Sequence, residues 1–128
     1  MLVREVMVKN VVTISPFAKL REAMGTMKRH GIKSLVVEKQ NPHDAYGLIT
    51  YTNILKTVIA EQGDIDLLNV YDVCVKPVVS VGESLSVQHV ASLMGQNRVK
   101  RLLVLKDNDL VGLITMNDIM DELLKQID

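Results

Sequence analysis

Two short stretches combine residue types that could hold a small polar ligand. Thr115 and Asp118 lie three residues apart after the run Gly112-Leu113-Ile114, and Thr50 and Asn53 keep the same spacing after Gly47-Leu48-Ile49. If each run is a strand that turns into a helix, the Thr stands where the unpaired amides of the first helical turn collect, a place that attracts phosphate. Asp118 then emerges from that first turn, where its carboxylate could accept hydrogen bonds from vicinal hydroxyls such as those of a ribose. Lys100 and Arg101 precede the apolar run Leu102-Leu103-Val104-Leu105, and Lys33 and Ser34 precede Leu35-Val36-Val37, so a polar pair opens a neighbouring strand in each case. The Thr-x-x-Asp spacing also fits a helix capping box, in which the two side chains satisfy the helix terminus and nothing binds. The two uses are compatible at one terminus.

The elements that must position these residues come twice. An offset of 67 sets Val6-Met7-Val8-Lys9-Asn10-Val11-Val12-Thr13 against Val73-Cys74-Val75-Lys76-Pro77-Val78-Val79-Ser80, with five of eight positions identical and Thr13 facing Ser80. Gly47 through Ile54 matches Gly112 through Ile119 at an offset of 65, again with five identities. The first copy therefore holds two extra residues, placed in its polar loop Gln40-Asn41-Pro42-His43-Asp44, because loops absorb length changes. Each copy predicts strand, helix, strand, strand, helix, an α/β (α+β) pattern. Strands are expected at 11–14 and 78–81. Ser15-Pro16 opens the first helix, with Phe17, Leu20, Met24 and Met27 on its apolar face; Val87, Val90, Ala91 and Met94 play that part in the second copy. Gly31 ends the first helix, and Lys106-Asp107-Asn108-Asp109 forms a turn between strands. The final helices carry the apolar residues Ile54, Leu55, Val58 and Ile59, or Ile119, Met120, Leu123, Leu124 and Ile127; of these Leu55, Ile59, Met120, Leu124 and Ile127 lie beside the stripe that must face the sheet. The expected division is motif 1 over 1–62, a linker over 63–69 and motif 2 over 70–128. Units of roughly 60 residues bury their sheets poorly alone, so the two copies are expected to pack about a pseudo-twofold axis.

Composition narrows the chemistry further. The chain has 128 residues, 15 basic against 15 acidic, so it lacks the net basic field that coating nucleic acid or an anionic membrane requires. Its apolar runs are four or five residues long, far short of the roughly 20 that span a bilayer, and the N-terminus does not read as a signal peptide. The single cysteine, Cys74, cannot form an intramolecular disulfide and fits a reducing, cytoplasmic setting. It aligns with Met7 and reads as a small apolar side chain. His30, His43 and His89 lack metal-pair spacing, and no nucleophile elbow or phosphate-binding Gly-rich loop occurs, so neither a metal site nor catalysis is expected. The segment Asp107 to Asp118 imitates a calcium loop but places Val111 where an oxygen ligand is needed.

The repeat length, the element order and the paired Gly-hydrophobic-hydrophobic-Thr-x-x-Asp/Asn motifs resemble the CBS domain family, specifically a tandem pair known as a Bateman module. The resemblance covers residues 1 to 127. It implies a stand-alone, non-catalytic sensor that binds an adenine nucleotide (AMP, ADP or ATP) or a related adenosyl ligand in the clefts between the motifs. The matching positions are Thr13, Lys33, Ser34, Thr50 and Asn53 in the first copy, and Ser80, Lys100, Arg101, Thr115 and Asp118 in the second. The positions at the strand start carry phosphate contacts, the motif Thr contacts phosphate or ribose, and the motif Asp holds the ribose. Asn53 and Ser34 replace the charged Asp118 and Arg101, so one better and one poorer site are expected. The resemblance also implies a homodimer through the last helix of each motif. An assembly module with no bound ligand is the alternative.

Overall fold

The computed structural model describes residues 1–127; residue 128, the last of the second expected motif, lies outside the described residues. The elements run α1 (Val3–Val6), β1 (Thr13–Ile14), α2 (Leu20–His30), β2 (Ser34–Val37), β3 (Gly47–Thr50), α3 (Tyr51–Ile54) and a π-helical turn (Leu55–Ala60). They continue through α4 (Val70–Val73), β4 (Ser80–Gly82), α5 (Val87–Asn97), β5 (Arg101–Lys106), β6 (Asp109–Thr115) and α6 (Met116–Leu124). The result is a mixed α/β fold with two three-stranded sheets, ordered β1-β2-β3 and β4-β5-β6. In each sheet the first strand runs parallel to the second, and the second and third form an antiparallel hairpin.

Two compact units contain these sheets, and they do not follow the sequence repeats. One is Val12–Val78; the other joins Met1–Val11 to Val79–Asp128. Each sheet is thus accompanied by a four-residue helix from the other repeat, α4 with the first sheet and α1 with the second, elements the hydrophobic pattern did not predict. In the unit Val12–Val78, Leu20, Ala23 and Met27 of α2 and Val70 and Val73 of α4 pack with Ile14, Leu35, Val37 and Ile49 of the sheet. In the other unit, Val3 of α1 and Val90 and Met94 of α5 pack with Val81, Leu102, Val104 and Ile114.

The segment after each short helix is bound to the last strand of its unit. Leu48 and Val75 exchange backbone hydrogen bonds at 2.9 Å, and Val8 and Leu113 do so at 2.8 and 3.0 Å. This close approach explains the motif glycines. A Cβ on Gly47 would stand 3.1 Å from the Val75 carbonyl oxygen and 3.2 Å from Val37 Cβ, and one on Gly112 would stand 3.0 Å from the Val8 carbonyl oxygen. The glycines serve contact with a neighbouring chain segment rather than a turn.

Several expectations are corrected. Helix α2 starts at Leu20, not at Ser15-Pro16, because 15–18 form a turn in which the Ala18 N–H donates to the Ser15 carbonyl. Lys19 then stays extended to bridge Asn69, while the Leu20 N–H donates to the Leu68 carbonyl. Phe17 therefore lies outside the helix and is 64% exposed, stacked edge-on with Tyr71. Ala91 is exposed, and Leu93 shares the packing role expected of it. After β3, Ile54 is buried and Val58 partly so, while Leu55 and Ile59, expected beside the core-facing stripe, are exposed on a π-helical turn rather than an α-helix. In α6, Met120 and Leu124 are exposed as expected, and Leu123 is exposed with them.

The length difference between the copies falls where expected. Residues 38–46 link Val37 to its partner Gly47, whereas 105–111 link Val104 to Gly112, two fewer. The shorter connection turns through Asp107 and Asn108, both left-handed, as a two-residue hairpin turn requires. The longer one is organised by Asp44, whose carboxylate accepts the backbone N–H groups of Gln40 and Ala45 and pairs with Lys76 at 2.6 Å.

Two consequences can be measured. Gly47→Ala is expected to lower unfolding stability by about 1–3 kcal/mol in urea titration, since both neighbours are held by ladder hydrogen bonds. The Lys76 hydrogen bond, with the two backbone N–H groups, pulls the Asp44 carboxyl from 3.8 to about 2. A carboxyl depressed in the folded state stabilises it above the unfolded value and loses that effect as pH falls through the folded one. The stability difference between wild type and Asp44→Ala should stay level at neutral pH and close as pH falls from 3.8 towards about 2.

Candidate functional site

Strand alternation sorts the candidate residues before any side-chain contact is considered. In the first hairpin Leu35, Val37 and Ile49 face the core of their unit, so Ser34 and its cross-strand partner Thr50 share the opposite face. Thr13 pairs with Val36 and joins that face. The second sheet repeats the arrangement: Leu102, Val104 and Ile114 face the core, while Arg101 pairs with Thr115 and Ser80 pairs with Leu103 on the other face. Lys33 and Lys100 precede these strands, and their carbonyls accept the N–H of Tyr51 at 3.1 Å and of Met116 at 2.9 Å. These bonds fold each helix start back against the opening of the neighbouring strand.

At each of these corners a capping box forms. Thr115 Oγ1 accepts the Asp118 N–H at 3.1 Å, while Asp118 Oδ2 accepts both the N–H and the hydroxyl of Thr115 at 2.8 Å. Thr50 and Asn53 make the same three bonds, at 3.0 to 3.3 Å, with Asn53 Oδ1 as acceptor. The capping role left open by the spacing is therefore present at both corners, and it consumes one amide of each first turn.

The caps leave different atoms over. Holding the Thr N–H requires an acceptor, so Asn53 spends its oxygen inward and keeps its amide NH2, a donor. Asp118 spends Oδ2 and keeps Oδ1, a charged acceptor with no hydrogen-bond partner among the described residues. On the strand paired with Thr115, Arg101 is partly exposed and the preceding Lys100 exposed, and neither has an ion-pair partner among the described residues. The corner at Thr115 thus joins an anionic acceptor to a strand that opens on two cations, while the corner at Thr50 has a neutral donor and a strand that opens on Lys33 and Ser34.

Ser34, Thr50 and Asn53 are brought together, as are Arg101, Thr115 and Asp118, while Lys33 and Lys100 are tied to these corners through their backbone carbonyls. Thr13 and Ser80 lie on the first strands, opposite residues two positions along from Ser34 and Arg101. The Thr13 hydroxyl donates to Glu38 Oε1 at 3.0 Å, a partner that no local spacing signals. Cys74 is half-buried beside Gly47, and its burial raises the thiol pKa. Among the described residues, no group of three or more His, Cys, Asp or Glu could hold a metal ion, and no helix is long and apolar enough to cross a membrane.

This duplicated architecture matches the CBS domain family model over residues 3–60 and 70–125. The chain belongs to the CBS domain family. It is 33% identical over 121 residues to an uncharacterized protein of Methanopyrus kandleri, a match that covers 92% of this chain and 60% of that relative's length. The hexameric CBS-CP12 protein from bloom-forming cyanobacteria superposes with a TM-score of 0.90 at 33% identity, over 100% of this chain and 75% of that one. A CBS domain pair solved in complex with 5′-methylthioadenosine and S-adenosyl-L-methionine superposes with a TM-score of 0.84 at 23% identity, over 98% of both chains.

The caps predict a split between two substitutions in this CBS pair. Thr115→Ala should cost about 1 kcal/mol of unfolding free energy. Asp118→Asn should cost less than half of that, because Asn53 shows that an amide oxygen closes the same box. Chemical denaturation of both variants checks the order.

Proposed function

We propose that this CBS pair is a regulatory module that binds an adenine nucleotide, AMP, ADP or ATP, or a related adenosyl compound at its strand-to-helix corners, without chemistry on the ligand. The observation that carries the reading is the corner at Thr115, where Asp118 keeps Oδ1 uncommitted and the paired strand opens on Lys100 and Arg101, cations without an ion-pair partner among the described residues. A carboxylate oxygen suits the vicinal hydroxyls of a ribose, and the two cations suit phosphate. Thr13, Lys33, Ser34, Thr50 and Asn53 form the weaker site, and Ser80, Lys100, Arg101, Thr115 and Asp118 the stronger. The adenosyl ligands of the solved pair described above support this ligand class. The cations favour a phosphorylated member over S-adenosylmethionine.

Such a module signals through differential affinity for two conformations or packings, since a ligand that binds both equally shifts nothing. The packing partner in this reading is a second copy, met through the helices that close each motif. Leu55, Ile59, Met120 and Leu124 are exposed there, more apolar surface than a solvated helix face carries.

Titration calorimetry with AMP, ADP, ATP, NAD and S-adenosylmethionine tests the ligand class. Heat of binding is expected for at least one phosphorylated compound, and none with any compound would leave the assembly role alone. Asp118→Asn keeps the cap, so it should weaken binding by about tenfold with little loss of stability. Unchanged affinity in that variant would remove the ribose contact. Arg101→Ala should weaken the nucleotides more than S-adenosylmethionine.

A further inference from the structure

The first strands of the two sheets carry equivalent hydroxyls with different partners. Thr13 pairs with Val36 of β2 and Ser80 with Leu103 of β5, at the same point of the register. Two residues further along those neighbouring strands stand Glu38 and Leu105. The Glu38 N–H donates to the Ile14 carbonyl at 3.0 Å, which continues the pairing of β1 with β2 past Val37, so Glu38 falls on the face shared by Ser34 and Thr13. Its side chain agrees with that placement, since Glu38 Oε1 accepts the Thr13 hydroxyl at 3.0 Å. Both residues are exposed. In the second sheet the Leu105 side chain has no polar atom, and the Ser80 hydroxyl has no hydrogen-bond partner among the described residues.

A hydroxyl carries one proton and two lone pairs. With its proton given to Glu38, Thr13 meets a ligand as an acceptor, and Glu38 Oε2, which no described residue engages, adds a charged acceptor on the same carboxylate. A phosphate brought to this pair finds no donor. It must take the Thr13 proton away from the carboxylate and then sit close to a second anion. An N–H or ammonium group instead meets two acceptors without disturbing the pair, and a cation gains the charge as well. Ser80 keeps its proton free to turn towards a phosphate oxygen, on a sheet whose next strand opens on Arg101.

Resting on the adenosyl-ligand reading above, we infer that Glu38 sets the ligand class of the first-copy site: that site takes an adenosyl compound with a cationic 5′ substituent, an ammonium or sulfonium, and refuses the phosphorylated compounds that suit the second-copy site. The adenine amine is common to all these compounds, so the choice among them falls on the 5′ substituent. The difference between the copies is then one of kind as well as strength. The same hydroxyl at the same register position is an acceptor in one sheet and an available donor in the other, and the residue two places along the neighbouring strand decides which. Discrimination of this sort rests on leaving a wrong ligand with an unmatched polar group close to a like charge, which costs more than a matched contact gains.

Sequential calorimetry on the full chain tests this with AMP and 5′-amino-5′-deoxyadenosine, in which an ammonium replaces the phosphate on the same nucleoside. Wild type saturated with AMP should still bind the amino compound. Glu38→Leu, which places at this position the residue that the second copy has, should weaken the amino compound there about tenfold and open the site to a second AMP. Glu38→Gln keeps an acceptor for the Thr13 proton but no charge, so it should lose the preference for the amino compound and still refuse AMP. S-adenosylmethionine should follow the amino compound in all three proteins. Exclusion of the amino compound by saturating AMP, or a Glu38→Leu variant with the wild-type ratio of the two affinities, overturns the assignment and leaves Glu38 as a cross-strand surface contact. Absence of binding of every adenosyl compound to the wild type would instead remove the ligand reading itself, and this inference with it.

Discussion

Side chains on a strand alternate between two faces, so everything the molecule offers to a ligand depends on the register of its two antiparallel hairpins. With Leu35 opposite Ile49 and Leu102 opposite Ile114, the apolar residues face their own helices, and Ser34, Thr50, Arg101 and Thr115 are left together on the other face. A slip of one residue would exchange the faces and bury Arg101 in the core. The cost of desolvating an unpaired guanidinium makes that alternative inaccessible. The hydrophobic effect, by selecting the register, thereby assembles the polar site.

The same pairing carries the exchange of segments between repeats. Backbone bonds between Val75 and Leu48, and between Val8 and Leu113, cover one edge of each hairpin with a strand-like segment from the other repeat. The glycines that begin the two motifs permit that approach, because a side chain at 47 or 112 would meet a carbonyl oxygen held in place by its own hydrogen bonds. Each is an edge-packing glycine, and its requirement comes from residues far away in the chain. The repeat in sequence and the compact unit in space are different partitions of the same chain.

Duplication followed by divergence has separated the copies along two lines. At the corners, Asp118 and Asn53 close equivalent caps, but the cap uses an acceptor in both cases, so the atom left over is an anionic oxygen in one and an amide donor in the other. The cap can be kept while the outward chemistry changes. Along the helices, α2 ends on Lys28 and Arg29, whereas α5 carries no Lys, Arg, Asp or Glu and α6 carries Asp118, Asp121 and Glu122. Similar separations appear at smaller scale: Phe17 and Tyr71 stack in one unit where Ser84 and Arg4, their equivalents at the repeat offset, share a hydrogen bond in the other.

What the sequence by itself determined is what local spacing controls. The duplication, the hairpins, the two-residue length difference and the Thr-x-x-Asp and Thr-x-x-Asn corners were all legible, because a strand has a period of two and a cap spans three residues. The left-handed end of α2 at Gly31 was legible for the same reason. Tertiary structure decided what depends on distant partners. Lys19 stays extended to meet Asn69, which delays the start of α2 and leaves Phe17 outside it; Glu38 takes the hydroxyl of Thr13; and α1 and α4 each join the unit of the other repeat. No local pattern encodes these choices, since they come from pairing backbone groups and apolar surface between segments whose separation in sequence says nothing about their proximity in space.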